Sequence, residues 1–221
     1  MPSVTQPILY ATMALVLSAG AAMAAPIAPN STVSITGGVA GLPSGGNIST
    51  ATGLDFLNNG VAGTPGGTID LNAKSTGTFA PLFTLLGCAM SASAGGCGTI
   101  TDLPAGSLVV GSRLINDFYT ITENALTLHF DLAAITDVTR SDAGLTSLSL
   151  SGTGTFRLAG YDPTPGIFTL TAQGNGETTF SAQTKAGVTP VPEPTSLALL
   201  GAGLLGLGVS TLRRNRRAAA V

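Results

Sequence analysis

LSLSGTGTFRL, residues 148–158, decides the fold class. Leu148, Leu150, Phe156 and Leu158 share one face of this run, with Ser149, Ser151, Thr153, Thr155 and Arg157 on the other. A period of two marks a strand with one buried face, because successive side chains point to opposite sides of a sheet. Gly152 and Gly154 fall on the apolar face. Glycines there predict a bend, or a close approach by the facing sheet.

The same alternation recurs on both sides. Upstream, residues 125–132 set Leu126, Leu128, Phe130 and Leu132 against Thr127, His129 and Asp131. Downstream, Phe168, Leu170 and Ala172 alternate with Thr169 and Thr171, and Thr178, Phe180 and Ala182 continue the pattern. Glu123-Asn124, residues 162–166 and Gly174-Asn175-Gly176 supply turn chemistry between the runs. The N-terminal half reads less clearly. Residues 33–36, 68–71, 99–103 and 117–122 look like short strands, and the Gly/Pro-rich segments 37–46 and 58–67 like loops. Many short strands with little helix predict an all-β, antiparallel β-sandwich, jelly-roll or immunoglobulin-like.

Composition narrows the function classes. Of 221 residues, 44% are hydrophobic and 9% charged, which excludes a charge-rich disordered binder. Four of the nine Lys/Arg crowd into the last ten residues, leaving no basic surface for nucleic acid. The body, residues 25–189, has five basic and ten acidic side chains, so its surface is acidic.

Both ends read as targeting segments. Residues 8–23 form an uncharged apolar run, closing on Ala22-Met23-Ala24 before Ala25-Pro26. Small residues at Ala22 and Ala24 predict a signal peptide over 1–24, cut between Ala24 and Ala25. That implies the Sec machinery and a signal peptidase as partners. At the other end, Pro192-Glu193-Pro194 precedes an uncharged stretch, residues 195–212, and then Arg213, Arg214, Arg216 and Arg217. Eighteen residues make a helix about 27 Å long, close to the roughly 30 Å of a bilayer core. An arginine at mid-bilayer costs about 3 kcal/mol, so the cluster stops transfer, stays cytoplasmic and leaves the body outside. The predicted result is one C-terminal transmembrane helix.

This order of proline-rich element, apolar span and arginine cluster resembles the PEP-CTERM sorting signal of Gram-negative bacteria, also called the ice-binding protein C-terminal domain. The resemblance covers residues 190–217. It implies that Pro192, Glu193 and Pro194 are recognised by an exosortase, a membrane-embedded transpeptidase that passes its substrate to the cell surface. It also implies that Arg213, Arg214, Arg216 and Arg217 form the stop signal. The body is similar to a recurrent ectodomain of such proteins, at Leu54-Asp55-Phe56, in residues 98–103, in residues 152–156 and 160–168, and at Phe180. That likeness implies a secreted β-fold with no established activity.

Candidate chemistry in the body is sparse. Cys88 and Cys97 are the only cysteines, and export predicts that they form a disulfide rather than a metal site. His129 is the only histidine and shares a face with Asp131, a conceivable catalytic pair, but no nucleophile motif accompanies it. Asp102, Asp117, Asp131, Asp137, Asp142 and Asp162 could offer calcium ligands, although none forms a regular calcium loop. Thr-x-Thr pairs at 99/101, 120/122, 153/155 and 169/171 follow no fixed period, which argues against an ice-ordering surface. Gly201, Gly203 and Gly206 match a dinucleotide fingerprint literally but lie in the apolar span.

The expectation is therefore a non-enzymatic surface or matrix protein, with no cofactor and no catalytic or metal residue, associated with exopolysaccharide. A carbohydrate-binding module, with or without calcium, is the alternative. Its aromatic anchors would be Tyr119 and Tyr161, because the chain has no tryptophan and Tyr10 lies in the signal peptide. A hydrolase using His129 ranks last.

Overall fold

The computed structural model describes residues 24–43, 47–91, 96–142, 146–174 and 176–187. Ala22, the Pro192-Glu193-Pro194 element, the predicted span 195–212 and the arginine cluster lie outside the described residues. No described helix is long and apolar enough to cross a membrane.

Among the described residues there are eleven strands. They are β1 (Ala25–Pro26), β2 (Thr32–Leu42), β3 (Gly53–Phe56), β4 (Gly67–Leu71), β5 (Gly98–Ile100), β6 (Gly111–Glu123), β7 (Leu126–Ser141), β8 (Ser147–Leu158), β9 (Tyr161–Asp162), β10 (Thr164–Gln173) and β11 (Thr178–Ala186). A 3-10 turn (Gly77–Phe79) and a short helix, α1 (Leu85–Ser91), fall between β4 and β5.

The all-β prediction holds, but the sandwich does not. The strands pair in the order β2-β4-β5-β6-β7-β8-β10-β11, and β11 returns to β2, so eight antiparallel strands close a barrel. The closing seam is long, from Thr178 opposite Val39 to Lys185 opposite Thr32. Closure removes the open edges that a sandwich would leave unpaired. The seam was hidden because β2 runs through Gly37 and Gly38 into a segment read as loop. In the strand these glycines make close packing possible. A Cβ on Gly37 would stand 2.9 Å from the Phe180 ring, and one on Gly38 2.7 Å from Leu57. The far half of β2 pairs with β3 instead of β4.

Strands β7, β8, β10 and β11 follow the predicted alternation. Their inward positions, including Leu128, Phe130, Leu148, Leu150, Phe168 and Leu170, are fully buried. The β6–β7 hairpin turns at Asn124 and Ala125, both in the left-handed region, which is the geometry of a two-residue type I′ turn. The glycine prediction holds in a modified form. Opposite Gly152 and Gly154, β7 shifts register, and a Cβ on Gly154 would meet the Phe130 ring at 2.5 Å. The close neighbour is thus the adjacent strand and its own inward ring, not a second sheet.

All eight phenylalanines are buried, and together they form a continuous spine. It runs Phe83–Phe79–Phe156–Phe130–Phe168–Phe118–Phe56–Phe180, with ring centroids 5.0 to 6.3 Å apart. Each buried phenylalanine contributes about 2–3 kcal/mol. The barrel interior is filled by rings, as expected of a small closed barrel.

Candidate functional site

The only histidine sits in a charged cluster on the outer wall of β6, β7 and β8. Its geometry begins at a bulge in β6, where the register against β7 shifts between Ile115 and Tyr119. Asp117 adopts φ +50° there, and the consecutive residues Phe118 and Tyr119 both become buried. A left-handed aspartate costs about 1 kcal/mol, less than burial of one further aromatic ring gains. The strained residue is held on both sides: its amide donates to Asp131 Oδ1 at 2.8 Å, and its carbonyl accepts from Thr101 Oγ1 at 3.1 Å.

The bulge turns the Asp117 carboxylate toward β7 and β8. His129 Nδ1 lies 2.7 Å from Asp117 Oδ1. Arg157 holds both carboxylates, with Nη2 at 2.5 Å from Asp117 and Nε at 2.6 Å from Asp131. Hydrogen bonding by Arg157 holds the Asp131 carboxyl below its usual range. Partial burial opposes this, while the Asp117 amide and the charges of Arg157 and His129 reinforce it. Asp131 in turn pushes the Arg157 guanidinium above its ordinary value. The sequence put His129 on the same face as Asp131, as a solvated strand residue or as one half of a conceivable pair. The structure gives His129 to Asp117 and Asp131 to Arg157, a correction that follows from the bulge. Beside the cluster, Thr127, His129, Arg157, Tyr161 and Pro163 line an open groove of about 460 Å³.

The remaining carboxylates mostly tie down loops. Asp102 accepts from the amides of Phe56 and Gly66, and buried Asp55 from Gly63. Buried Glu123, read in the sequence only as part of a turn, accepts from both the amide (2.7 Å) and the hydroxyl (3.0 Å) of Thr84, just before α1. Asp137 accepts from Thr139, and Asp142 from Ser49. The six aspartates nominated as calcium ligands therefore do not converge on one point. Cys88 and Cys97 form the predicted disulfide, with Cα atoms 5.0 Å apart. Asp70 stands beside them, but sulfurs bonded to each other are not thiolate ligands. Ala24 is half-buried, and Ala25 lies in β1, paired with Tyr161.

Tyr119 is not an exposed anchor: it is fully buried and stacks on Phe130. Burial pushes its phenol far above the ordinary range, while the neighbouring Thr184 hydroxyl pulls weakly the other way. The two hydroxyls stop short of a formed hydrogen bond.

A second feature was not legible in the sequence. Cross-strand register aligns Thr169, Gln183 and Ser34, and likewise Thr171, Ser181 and Thr36, across β10, β11 and β2. Ser34, Asn72, Thr169, Thr171, Ser181 and Gln183 line a shallow groove of about 390 Å³ on the outer wall. Asn72 donates to Ser181 at 3.3 Å and Gln183 to Ser34 at 3.4 Å. The groove is neutral and rich in hydroxyl and amide groups. Its signal was the outward half of the β11 alternation, which becomes a surface only once β2 closes against it.

The fold and these walls define a class: a closed β-barrel whose outer surface is polar and whose last strand, β11, ends at Ala186, close to a proline-rich, apolar and basic tail. The tail supplies the second step. Residues 190–214 match the PEP-CTERM protein-sorting motif. The chain thus carries the signal of an exosortase-sorted protein, exported and sorted through a membrane-anchored state to the surface. No curated protein and no solved structure matches the chain.

Proposed function

We propose that the barrel is a non-enzymatic module of the cell surface or extracellular matrix. In this reading the signal peptide is removed near Ala24, residues 195–212 hold the chain in the membrane, and an exosortase acts near Pro192, Glu193 and Pro194. The PEP-CTERM motif carries the reading. The mutual engagement of His129, Asp117, Asp131 and Arg157 supports a structural role for that cluster, since its polar atoms satisfy one another. The neutral groove around Thr169, Ser181 and Gln183 supports association with exopolysaccharide, because sugar hydroxyls pair with hydroxyl and amide groups without a charge to desolvate.

The test is delivery. Deletion of residues 192–194 should retain the protein in the inner-membrane fraction, as read by surface labelling and fractionation. Delivery unchanged by that deletion would refute sorting by this signal. A hydrolase screen comparing the parent with His129→Ala should show no activity that depends on His129.

A further inference from the structure

The two ends of the barrel differ in what tethers them. At one end, α1 presents Leu86 (72% exposed) and Leu85 (40% exposed). With Lys74, Ser75, Ala80, Phe83 and Thr84 they surround a depression of about 490 Å³. Ser75 is 6% exposed, and its Oγ has no partner among the described residues. Lys74 forms no ion pair among them either. At the opposite end, where β6 begins, Val109, Val110 and Leu114 are also exposed. Apolar exposure alone therefore does not choose between the ends.

The exit of the chain does. The Ala186 amide donates to the Ser31 carbonyl, and the Gly187 amide to the Pro165 carbonyl. Ser31 Oγ accepts from Thr78, in the 3-10 turn that leads to α1. The last described residue thus leaves the barrel at the α1 end. From Gly187 to Thr195, where the apolar span starts, is eight residues, at most about 28 Å of chain. A tether this short fixes which end meets the bilayer and holds it at high local concentration, so a weak surface contact suffices.

We propose that the α1 end of the barrel rests on the outer face of the membrane that holds residues 195–212. Leu85 and Leu86 enter the lipid interface, and Lys74 meets an anionic headgroup. The inference rests on the reading of 195–212 as a span. Its consequence is that Pro192, Glu193 and Pro194 stay at the bilayer surface, within reach of a membrane-embedded enzyme.

The chain has no tryptophan, so single-tryptophan variants report their own depth. The full chain is reconstituted in vesicles of equal parts phosphatidylcholine and phosphatidylglycerol, with and without brominated acyl chains. Leu86→Trp should lose emission to the brominated lipid and shift to the blue, whereas Val110→Trp should do neither. Leu204→Trp tests the span itself. Quenching at 204 without quenching at 86 overturns the docking and leaves the span standing. No quenching at 204 overturns both. Quenching at 110 to the same degree as at 86 overturns the choice of end. Protection of the tryptophan at 86 from aqueous iodide without lipid quenching means that protein covers it, and overturns the lipid assignment.

Discussion

The β7–β8–β10–β11 half of the barrel and the β2–β5 half are held together by different physics. The first consists of strands of 9 to 16 residues with tight connections, whose inward positions carry Leu and Phe at a period of two. Local pattern and final packing agree there, so the half is specified by its own sequence. The second contains strands of 3 to 5 residues beside a continuous β2 whose side-chain pattern is interrupted by glycines. It relies on single devices: the Cys88–Cys97 disulfide, Asp102 and Asp55 clamping amides of β3 and of the loop that follows it, and Glu123 reaching from β6 to Thr84. The lesson is that a barrel wall can be built by periodic burial or by point attachments, and only the first leaves a periodic trace.

The comparison can be broken most forcefully at Phe130, which touches the rings of Tyr119, Phe156 and Phe168. Phe130→Ala should cost about 4 kcal/mol and, in denaturant melts, unfold the barrel in one transition. A change under about 1 kcal/mol would mean that the spine does not bind the regular half. Next comes the stapled half. Replacing Cys88 and Cys97 with serine should cost about 2.6 kcal/mol in the chain-entropy account of a nine-residue separation. Amide exchange should then quicken in α1, β4 and β5 while β8 and β10 keep their protection. Equal loss of protection everywhere would erase the distinction between the halves.

The smallest effect belongs to the outer-wall cluster. Asp131→Asn should cost about 1 kcal/mol at pH 7, because the ion pair is only partly shielded. The sign follows from the depressed folded carboxyl. An aspartate held down in the folded state adds stability above its unfolded value near pH 4 and loses it as pH falls through its folded value. The gap between parent and variant should therefore be full at neutral pH and close in acid. A gap that widens in acid would contradict the assignment of Asp131 to Arg157.

The candidate sites divide along the same line. Cys88 with Cys97 was legible because export chemistry leaves two cysteines one natural partner, and the PEP-CTERM motif because its three parts are contiguous. His129 was legible as an outward strand residue but its partner was not. Asp117 reaches it only through a bulge that no alternation encodes. The groove of Ser34, Asn72, Ser181 and Gln183 was equally hidden, since its members are up to 149 residues apart.

By itself the sequence determined the strand periodicity, the apolar core positions of β7 to β11, the disulfide and the sorting address, all of them set by near neighbours in the chain. The tertiary structure alone decided that the sheet closes on itself, that Tyr119 turns inward, and that Asp117, rather than Asp131, takes the histidine. Each of these depends on long-range register, and register is chosen by the packing of rings and glycines from distant strands rather than by any local run of residues.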